Sequence, residues 1–599
     1  MTPVVFGRRF GWMHAGEGTR GVVLYNTYGH EFVWTYSGMR ALADALAAHG
    51  LWVLRFDYLG TGDSDGTDAA PDQFDTAVND IGAAVAFLKE KTGVTDVTLC
   101  GFRVGAAFAL EAALHAPVDA LALLAPIANG RQYVRELDIT RKTWLDILPP
   151  PIREMQSDNA PLNVLGQIYH DDFKRALQNI DLARSVKNAS LAPARRALIM
   201  QSRTGSKDPL RDALTEAGVD TQAQVFEELT GFLQESAFNS VPKAAFAQVV
   251  NWIAGDAKEM TPREESAKWP DLQIETPEAI EHPVCIGDEK LFGILCEPRR
   301  GTSRSASIFI LTNTSASPHV GDSRLSVRIA RELARRGVAS LRFDARGRGD
   351  SPAAPGEVQS DTPFGRIYNL FATQDAALAA RWLSRQGYKS IHTFGICSGA
   401  YHALKAAVIE PTINGVISVN LPTFKRPADK TPEEMREKTR NSLAGYAFSM
   451  FEWQKWKAML RGEKNLLNVL QFLGGYVLTR SYSRLSDMLH LDGLRNAPPE
   501  LATTPLPIVR ALEAKGVKTT FLYGSYDAGL DLLASYFGKL GARLAKYPSV
   551  RVVTSPELDH SLFNAGSVQQ VIGLCETVVK DTNVAVEERP LPHRATAVL

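Results

Sequence analysis

Gly395-Ile396-Cys397-Ser398-Gly399 sets a thiol between two glycines, after the apolar run Ser390–Phe394 and before the small-residue stretch GAYHAL. A nucleophile on a sharp strand-to-helix turn needs such neighbours, because a Cβ at either flank would collide with the adjoining helix or strand. The turn also sets the side chain at the positive end of the helix dipole, where a thiolate is favoured. Register selects Cys397 over Ser398, whose backbone N–H lies one step into the helix and is placed to help hold an oxyanion. A thiol nucleophile requires a base and a group to orient that base. Asp527 follows the β-type run Thr519–Tyr523, and His560 follows the run Val550–Thr554. They are assigned as orienting acid and general base. Asp559 is the alternative acid, although a chain neighbour rarely points at the adjacent ring. The chemistry of such a set is attack by sulfur on an ester or thioester carbonyl.

The elements that must position these residues occur twice. In the first half the apolar run Gly21–Tyr25 leads to a helical stretch, Met39–His49, then a second run, Leu51–Phe56, ending in FDYLGTGDSDG. In the second half Ser307–Leu311 leads to a helical stretch, Leu325–Arg336, then Val338–Phe343, ending in FDARGRGDS. Val97–Cys100 precedes GFRVGAAFAL as Ser390–Phe394 precedes GICSGAYHAL, and a further short run follows each, LALLAP at 121–126 and GVISVN at 415–420. Short β-rich runs alternating with helical runs indicate βαβ units and a mostly parallel sheet. The expected organisation is a domain at 1–256, a charged linker at 257–275, a second domain at 276–582 and a polar tail at 583–599.

Strand, elbow, helix, and then acid and histidine after successive late strands is the order of an α/β hydrolase. The expected fold is therefore α/β: two tandem α/β-hydrolase domains, each a mostly parallel sheet flanked by helices. The oxyanion hole is expected from the Ser398 N–H and the loop Thr312–Ala316, with Asn313 and Thr314 as candidates. His319, in the same loop region, is a candidate substrate contact, with a merely solvated histidine as the alternative.

The same positions in the first half hold no triad. Gly101-Phe102-Arg103-Val104-Gly105 carries arginine at the nucleophile position, and arginine stays protonated. The acid position falls near Thr204, and Glu235 stands opposite His560. This half reads as a degenerate pseudo-enzyme domain, with an Arg103–Glu235 ion pair expected where nucleophile and base would have met. The alternative is that Arg103 binds an anionic ligand.

Both halves resemble the serine-aminopeptidase-like α/β hydrolases, particularly those associated with exosortase and exopolysaccharide gene clusters. The resemblance rests on LRFDYLGTGDSDG, GFRVGAAFAL and APIANGRQYVREL in the first half, and on HVGDSRLSVRIARELARRGVASLRFDARGRGDS and GICSGAYHALKAA in the second. It implies an acyl-enzyme route without a cofactor, and carries the nucleophile to Cys397, the acid to Asp527 and the base to His560. Cysteine in place of the usual serine is also seen in dienelactone-hydrolase-like enzymes.

From 421 to 494 the second half carries an insertion expected to form a helical cap. Its aromatic residues include Trp453 and Trp456, candidates for substrate contact if they are not cap core. Lysines and arginines interspersed there would suit a carrier-bound acyl group or an anionic glycan, with a solvated helix face as the alternative.

Lys+Arg and Asp+Glu balance at 66 each, which argues against bulk attraction to nucleic acid. Nowhere do about 18 apolar residues run uninterrupted, and the N-terminal MTPVVFGRRFGW lacks a signal-peptide core, so a cytoplasmic protein without a membrane span is expected. Five scattered cysteines, with no CxxC pair, suggest neither a disulfide framework nor a metal site. Three functions follow: a hydrolase of a small-molecule ester or thioester, an acyltransferase or cyclising thioesterase, and a non-catalytic scaffold. The two domains are expected to pair within the chain.

Overall fold

A computed structural model describes residues 1–156, 162–202, 208–255, 269, 271–299, 307–354, 362–426 and 504–587. Strands β1 (Thr2–Phe6), β2 (Arg9–His14), β3 (Arg20–Tyr25), β4 (Trp52–Phe56), β5 (Asp96–Phe102) and β6 (Val118–Leu124) open the chain. A hairpin, β7 (Leu162–Val164) and β8 (Gln167–Tyr169), then precedes β9 (Ala194–Gln201) and β10 (Asp220–Val225). The second half holds β11 (Ile274–Glu275), β12 (Ala279–Ile286), β13 (Leu291–Pro298), β14 (Ser307–Leu311), β15 (Ala339–Phe343), β16 (Ser390–Ile396), β17 (Ile413–Val419), β18 (Lys518–Gly524) and β19 (Val550–Ser555).

The first sheet runs β1-β2-β4-β3-β5-β6-β9-β10 and the second β11-β12-β13-β15-β14-β16-β17-β18-β19. From β4 and from β15 onward the pairing is parallel, while the N-terminal strands of each sheet pair antiparallel. The central strands are buried on both faces, as strands covered by helices on both sides must be; β16 is buried along its whole length, its Ser390, His392 and Thr393 included. These are two tandem α/β-hydrolase folds. The antiparallel strands β1, β2 and β11–β13 and the hairpin β7–β8 are additions to the sequence reading. No helix among the described residues is long and apolar enough to cross a membrane. Most of the expected linker and cap lies outside the described residues. The last helix, Ala565–Glu587, runs past residue 583, where a tail was expected to begin.

The GDS sequences join the two halves. In each, the aspartate of RFD ties the loop to itself: Asp57 accepts the Asp63 N–H and Asp344 accepts the Asp350 N–H, both at 2.9 Å. Ser64 and Ser351 donate to the carbonyls of Asp57 and Asp344, and accept the N–H groups of Phe10 and Phe292. The loop aspartate then crosses to the other domain. Asp63 accepts from Arg342 Nη2 at 2.9 Å and pairs with His319 Nε2 at 2.6 Å. Asp350 accepts from Arg55, Tyr36 and Trp12. Phe10, Trp12, Ile274, Phe292 and Ile294 form one apolar cluster across the join.

Glu281 completes the buried charge, accepting from Arg331 and Arg342, each at 2.8 Å. Burial opposes its ionisation, but the two guanidiniums outweigh that and pull its carboxyl down to about 2. A carboxyl so depressed gives stability that is complete above its unfolded value and is lost as pH falls through the folded one. Thermal unfolding followed downward from neutral pH should show Tm dropping most steeply between about 4.5 and about 2. Arg342→Met should flatten the slope in that window, and an unchanged slope would contradict the assignment.

Candidate active site

Cys397 follows β16 and caps the helix Ser398–Ile409 with φ 53° and ψ −120°, a conformation L residues rarely adopt. The glycines permit it. A Cβ on Gly395 would stand 2.3 Å from the Gly399 carbonyl, and one on Gly399 would stand 2.8 Å from the Asn313 carbonyl. The elbow is pinned by Cys397 N–H donating to Val419 O at 2.9 Å, and the thiol remains partly exposed.

Asp527 and His560 arrive from the neighbouring parallel strands. Asp527 follows β18 and caps the helix Ala528–Phe537, with Oδ1 accepting the Gly529 N–H at 2.8 Å. Its Oδ2 lies 2.6 Å from His560 Nδ1. An ionised carboxylate only accepts, so Nδ1 carries the proton and Nε2 is the working nitrogen. Nε2 is buried and, among the described residues, is left for Cys397, the other group whose charge and hydrogen bonding act on this ring. Burial disfavours the imidazolium, but the charges of Asp527 and Cys397 outweigh it and hold His560 well above its ordinary value. The structure thus brings the three sequence-assigned residues to one place. Asp559 does different work: it accepts the Phe563 and Asn564 N–H groups at 2.9 Å and the Ser567 hydroxyl at 3.0 Å, folding the loop that carries His560.

The oxyanion-side loop is stitched to the elbow. Thr312 Oγ1 donates to Gly399 O at 2.9 Å, Thr314 Oγ1 to Ile396 O at 3.2 Å, and Ser315 N–H to Ser398 Oγ at 2.7 Å. The Asn313 side chain binds Asp344 Oδ1 and Ser317 O, and accepts the Ala345 N–H, so its amide serves the loop. His319 is not a substrate contact. Its side chain is wholly buried, bridging Asp344 through Nδ1 at 2.7 Å and Asp63 through Nε2 at 2.6 Å. Burial opposes its charge, yet the two carboxylates raise it well above the usual histidine range. The loop that looked solvated is sealed by the first domain, which a motif-by-motif reading of one half does not reveal. Trp453 and Trp456 lie outside the described residues.

Two contributors escaped the sequence reading. Asn420, with φ 49°, donates to the Asp559 and His560 carbonyls, each at 3.0 Å, and accepts the Gly524 N–H at 2.9 Å. It ties β17 and β18 to the histidine loop; its position ending GVISVN was the available signal. Tyr368 is buried near enough to Cys397 that burial, joined by the sulfur's charge, pushes its phenol well above the ordinary value. It packs edge-on against Tyr401 with centroids 5.4 Å apart.

The first domain keeps the elbow and replaces its contents. Arg103 has φ 55° and ψ −120°, matching Cys397. Its expected partner is corrected: Arg103 pairs with Glu31 at 3.1 Å and Glu136 at 2.8 Å, not with Glu235. Glu31 comes from the first turn of the helix His30–Ala48, so the counter-charge enters from the oxyanion side and not from the histidine position. Burial would raise the Glu31 carboxyl, but Arg103 outweighs it and holds it below its ordinary value. Glu235 instead lies near Asp322 of the second domain, whose carboxyl is raised to about 6 by burial, held back by a hydrogen bond with Ser317 and pushed up further by the Glu235 charge. Thr204 lies outside the described residues.

Residues 20–190 match the family model described as serine aminopeptidase, S33. Among curated proteins none matches the chain. Similar solved structures include a dienelactone hydrolase from Anabaena variabilis, 17% identical, covering 50% of this chain and 96% of its own, TM-score 0.29. Est1E from Butyrivibrio proteoclasticus is 16% identical over 42% of this chain and 96% of its own, TM-score 0.30. A Pyrococcus furiosus esterase is 15% identical over 42% of this chain and 86% of its own, TM-score 0.29.

The Arg103 pair is open to a direct test. Removing one partner of a buried ion pair strands the other, at a cost of about 3–5 kcal/mol. Arg103→Ala should lower unfolding stability in urea by that order, and adding Glu31→Gln should recover part of it. A loss within experimental error would mean the pair is not holding this site.

Proposed function

We propose that the second domain is a hydrolase that opens an ester or thioester through a covalent acyl-enzyme on Cys397. The observation that carries the reading is the 2.6 Å contact from Asp527 to His560 Nδ1, which leaves Nε2 to serve the elbow sulfur. In this reading His560 takes the thiol proton and the thiolate attacks the carbonyl carbon. The oxyanion is held by the Ser398 N–H, which has no acceptor in the first helical turn, and by an N–H of the Asn313–Thr314 segment. The tetrahedral species collapses, the C–O or C–S bond to the leaving group breaks, and His560 returns the proton to that group. Water, deprotonated by His560, then attacks the acyl thioester, releasing the acid and restoring the thiol. No step calls on a cofactor. The first domain, with Arg103 at its elbow, is read as a pseudo-enzyme.

The cysteine itself favours a second reading. An acyl thioester keeps more transfer potential than an oxygen ester, so an amine or hydroxyl acceptor could take the place of water. The substrate is proposed as a small acyl ester or thioester, with a carrier-bound acyl group as one form.

Intact-protein mass spectrometry after exposure to p-nitrophenyl esters and acyl thioesters should show one acyl adduct, absent from Cys397→Ala. Asp527→Asn should lower turnover by on the order of 10³- to 10⁴-fold, since it upsets the histidine tautomer. Discharge of the adduct by water supports the hydrolase, and faster discharge by an added amine supports the transferase. Full turnover in Cys397→Ala would sink both, and a wild-type protein with neither adduct nor turnover would leave the scaffold.

A further inference from the structure

The hairpin β7–β8 belongs to the first domain but ends against the second domain's histidine loop. Its strands pair Leu162 with Tyr169, Asn163 with Ile168 and Val164 with Gln167. The two turn residues, Leu165 and Gly166, both have positive φ, 52° and 88°, the signature of a two-residue hairpin turn. Asn163 holds that turn by accepting the Gly166 N–H at 2.8 Å, and its Nδ2 donates across the join to Phe563 O at 3.0 Å. The turn sits close against the Phe563 ring: a Cβ on Gly166 would stand 2.8 Å from Phe563 Cδ1. Trp144, also of the first domain, meets the same ring edge-on with centroids 6.0 Å apart. Ser323, near the oxyanion-side loop, donates to Leu165 O at 2.6 Å and fastens the turn from the other flank.

Phe563 is no bystander. Its N–H donates to Asp559 Oδ2, the carboxylate that folds the loop around His560. Asn420 holds the His560 carbonyl from the sheet side, leaving the outer side of the loop to Asn163 and Trp144. The reverse contact exists but reaches a loop with glutamate, Glu235, where the second half has His560: Arg366 of the second domain donates to Asn239 O, in the segment that aligns with the histidine loop, at 2.7 Å.

We infer that Asn163 and Gly166 of the first domain are positioning residues for His560, so that the degenerate domain completes the active site of its neighbour. This rests on the proposed role of His560 as base. Asn163 sets the Phe563 carbonyl, Phe563 sets Asp559, and Asp559 sets the backbone on which His560 stands. Misplacing a catalytic group by about 1 Å can cost on the order of 10²-fold in rate, which gives the contact its leverage.

The test uses the full-length chain with Asn163→Ala, Gly166→Val and Asn163→Gln, beside Cys397→Ala and Arg40→Ala. Arg40 crosses the join elsewhere, donating to Gly349 O and Ser351 O. Two readouts are taken against pH: hydrolysis of p-nitrophenyl acetate, and iodoacetamide alkylation of Cys397 followed by peptide mass spectrometry. Asn163→Ala and Gly166→Val should lower kcat by about 10- to 100-fold with KM little changed. The alkaline limb of kcat/KM and of the alkylation profile should move to lower pH, as His560 loses its hold beside Asp527. Asn163→Gln should recover part of both, and Arg40→Ala should lower Tm without moving the limb. Unchanged kcat and pH profiles in Asn163→Ala, with Cys397→Ala inactive, would overturn this inference alone. Wild-type turnover in Cys397→Ala would overturn the proposed function and this inference together.

Discussion

The rest of the molecule depends on an exchange of buried carboxylates. Asp63 leaves its own domain to meet Arg342 and His319, and Asp350 leaves its own to meet Arg55, Tyr36 and Trp12. An unpaired carboxylate in such surroundings is prohibitively costly, so each loop is compelled to keep its partner domain in contact. Inside each loop the RFD aspartate binds the crossing aspartate's N–H, and Gly62 and Gly349 adopt positive φ so that no Cβ meets that carboxylate. The apolar cluster around Trp12 and Phe292 supplies area, but the charges dictate the register.

From that register the site follows. Asp344 binds both His319, which reaches Asp63, and Asn313, which anchors the oxyanion-side loop. The loop is thereby strung between its own sheet and the other domain. Cys397 has its geometry from inside the second domain, through the close approach of Gly395 and Gly399 to the backbone around them. The elbow in the first domain shows the same geometry around an arginine. Arg103 keeps the same strained φ because Gly101 and Gly105 impose the same approach, a Cβ on Gly105 standing 2.3 Å from Asn26 O.

Much of this was legible from residue order. The paired RFD-x-x-G-x-GDS loops, the two elbows and the late strands announced two hydrolase folds, because apolar runs of strand length alternate with helices of regular spacing. Cys397, Asp527 and His560 could be named because each follows a β-type run at its C-terminal end, where this architecture displays its side chains. What stayed hidden was whatever depends on one half touching the other. His319 read as a candidate substrate contact, or else a solvated loop residue, because its second carboxylate, Asp63, is remote in sequence. The partner of Arg103 was sought at the histidine position, whereas Glu31 answers from a helix start on the opposite side. Asn163 and Phe563 carry no local signal at all, since a short hairpin turn and a phenylalanine have many ordinary uses. The short antiparallel strands at each sheet's start were likewise too brief to separate from loop by pattern alone.

The two-fold likeness of the join carries one last consequence. In a dimer of identical copies any change at the contact appears twice, and a substitution must suit both of its places at once. Here the two places are separate codons. Asp63 is met by an arginine and a histidine, while its counterpart Asp350 is met by an arginine, a phenol and an indole. The join thus departs from exact two-fold symmetry in its partners. The same licence covers the elbows, where one copy holds a thiol and the other a guanidinium. Joining two like halves in one chain thus lets each half carry its own residues at matching places, with no need for one side chain to serve both.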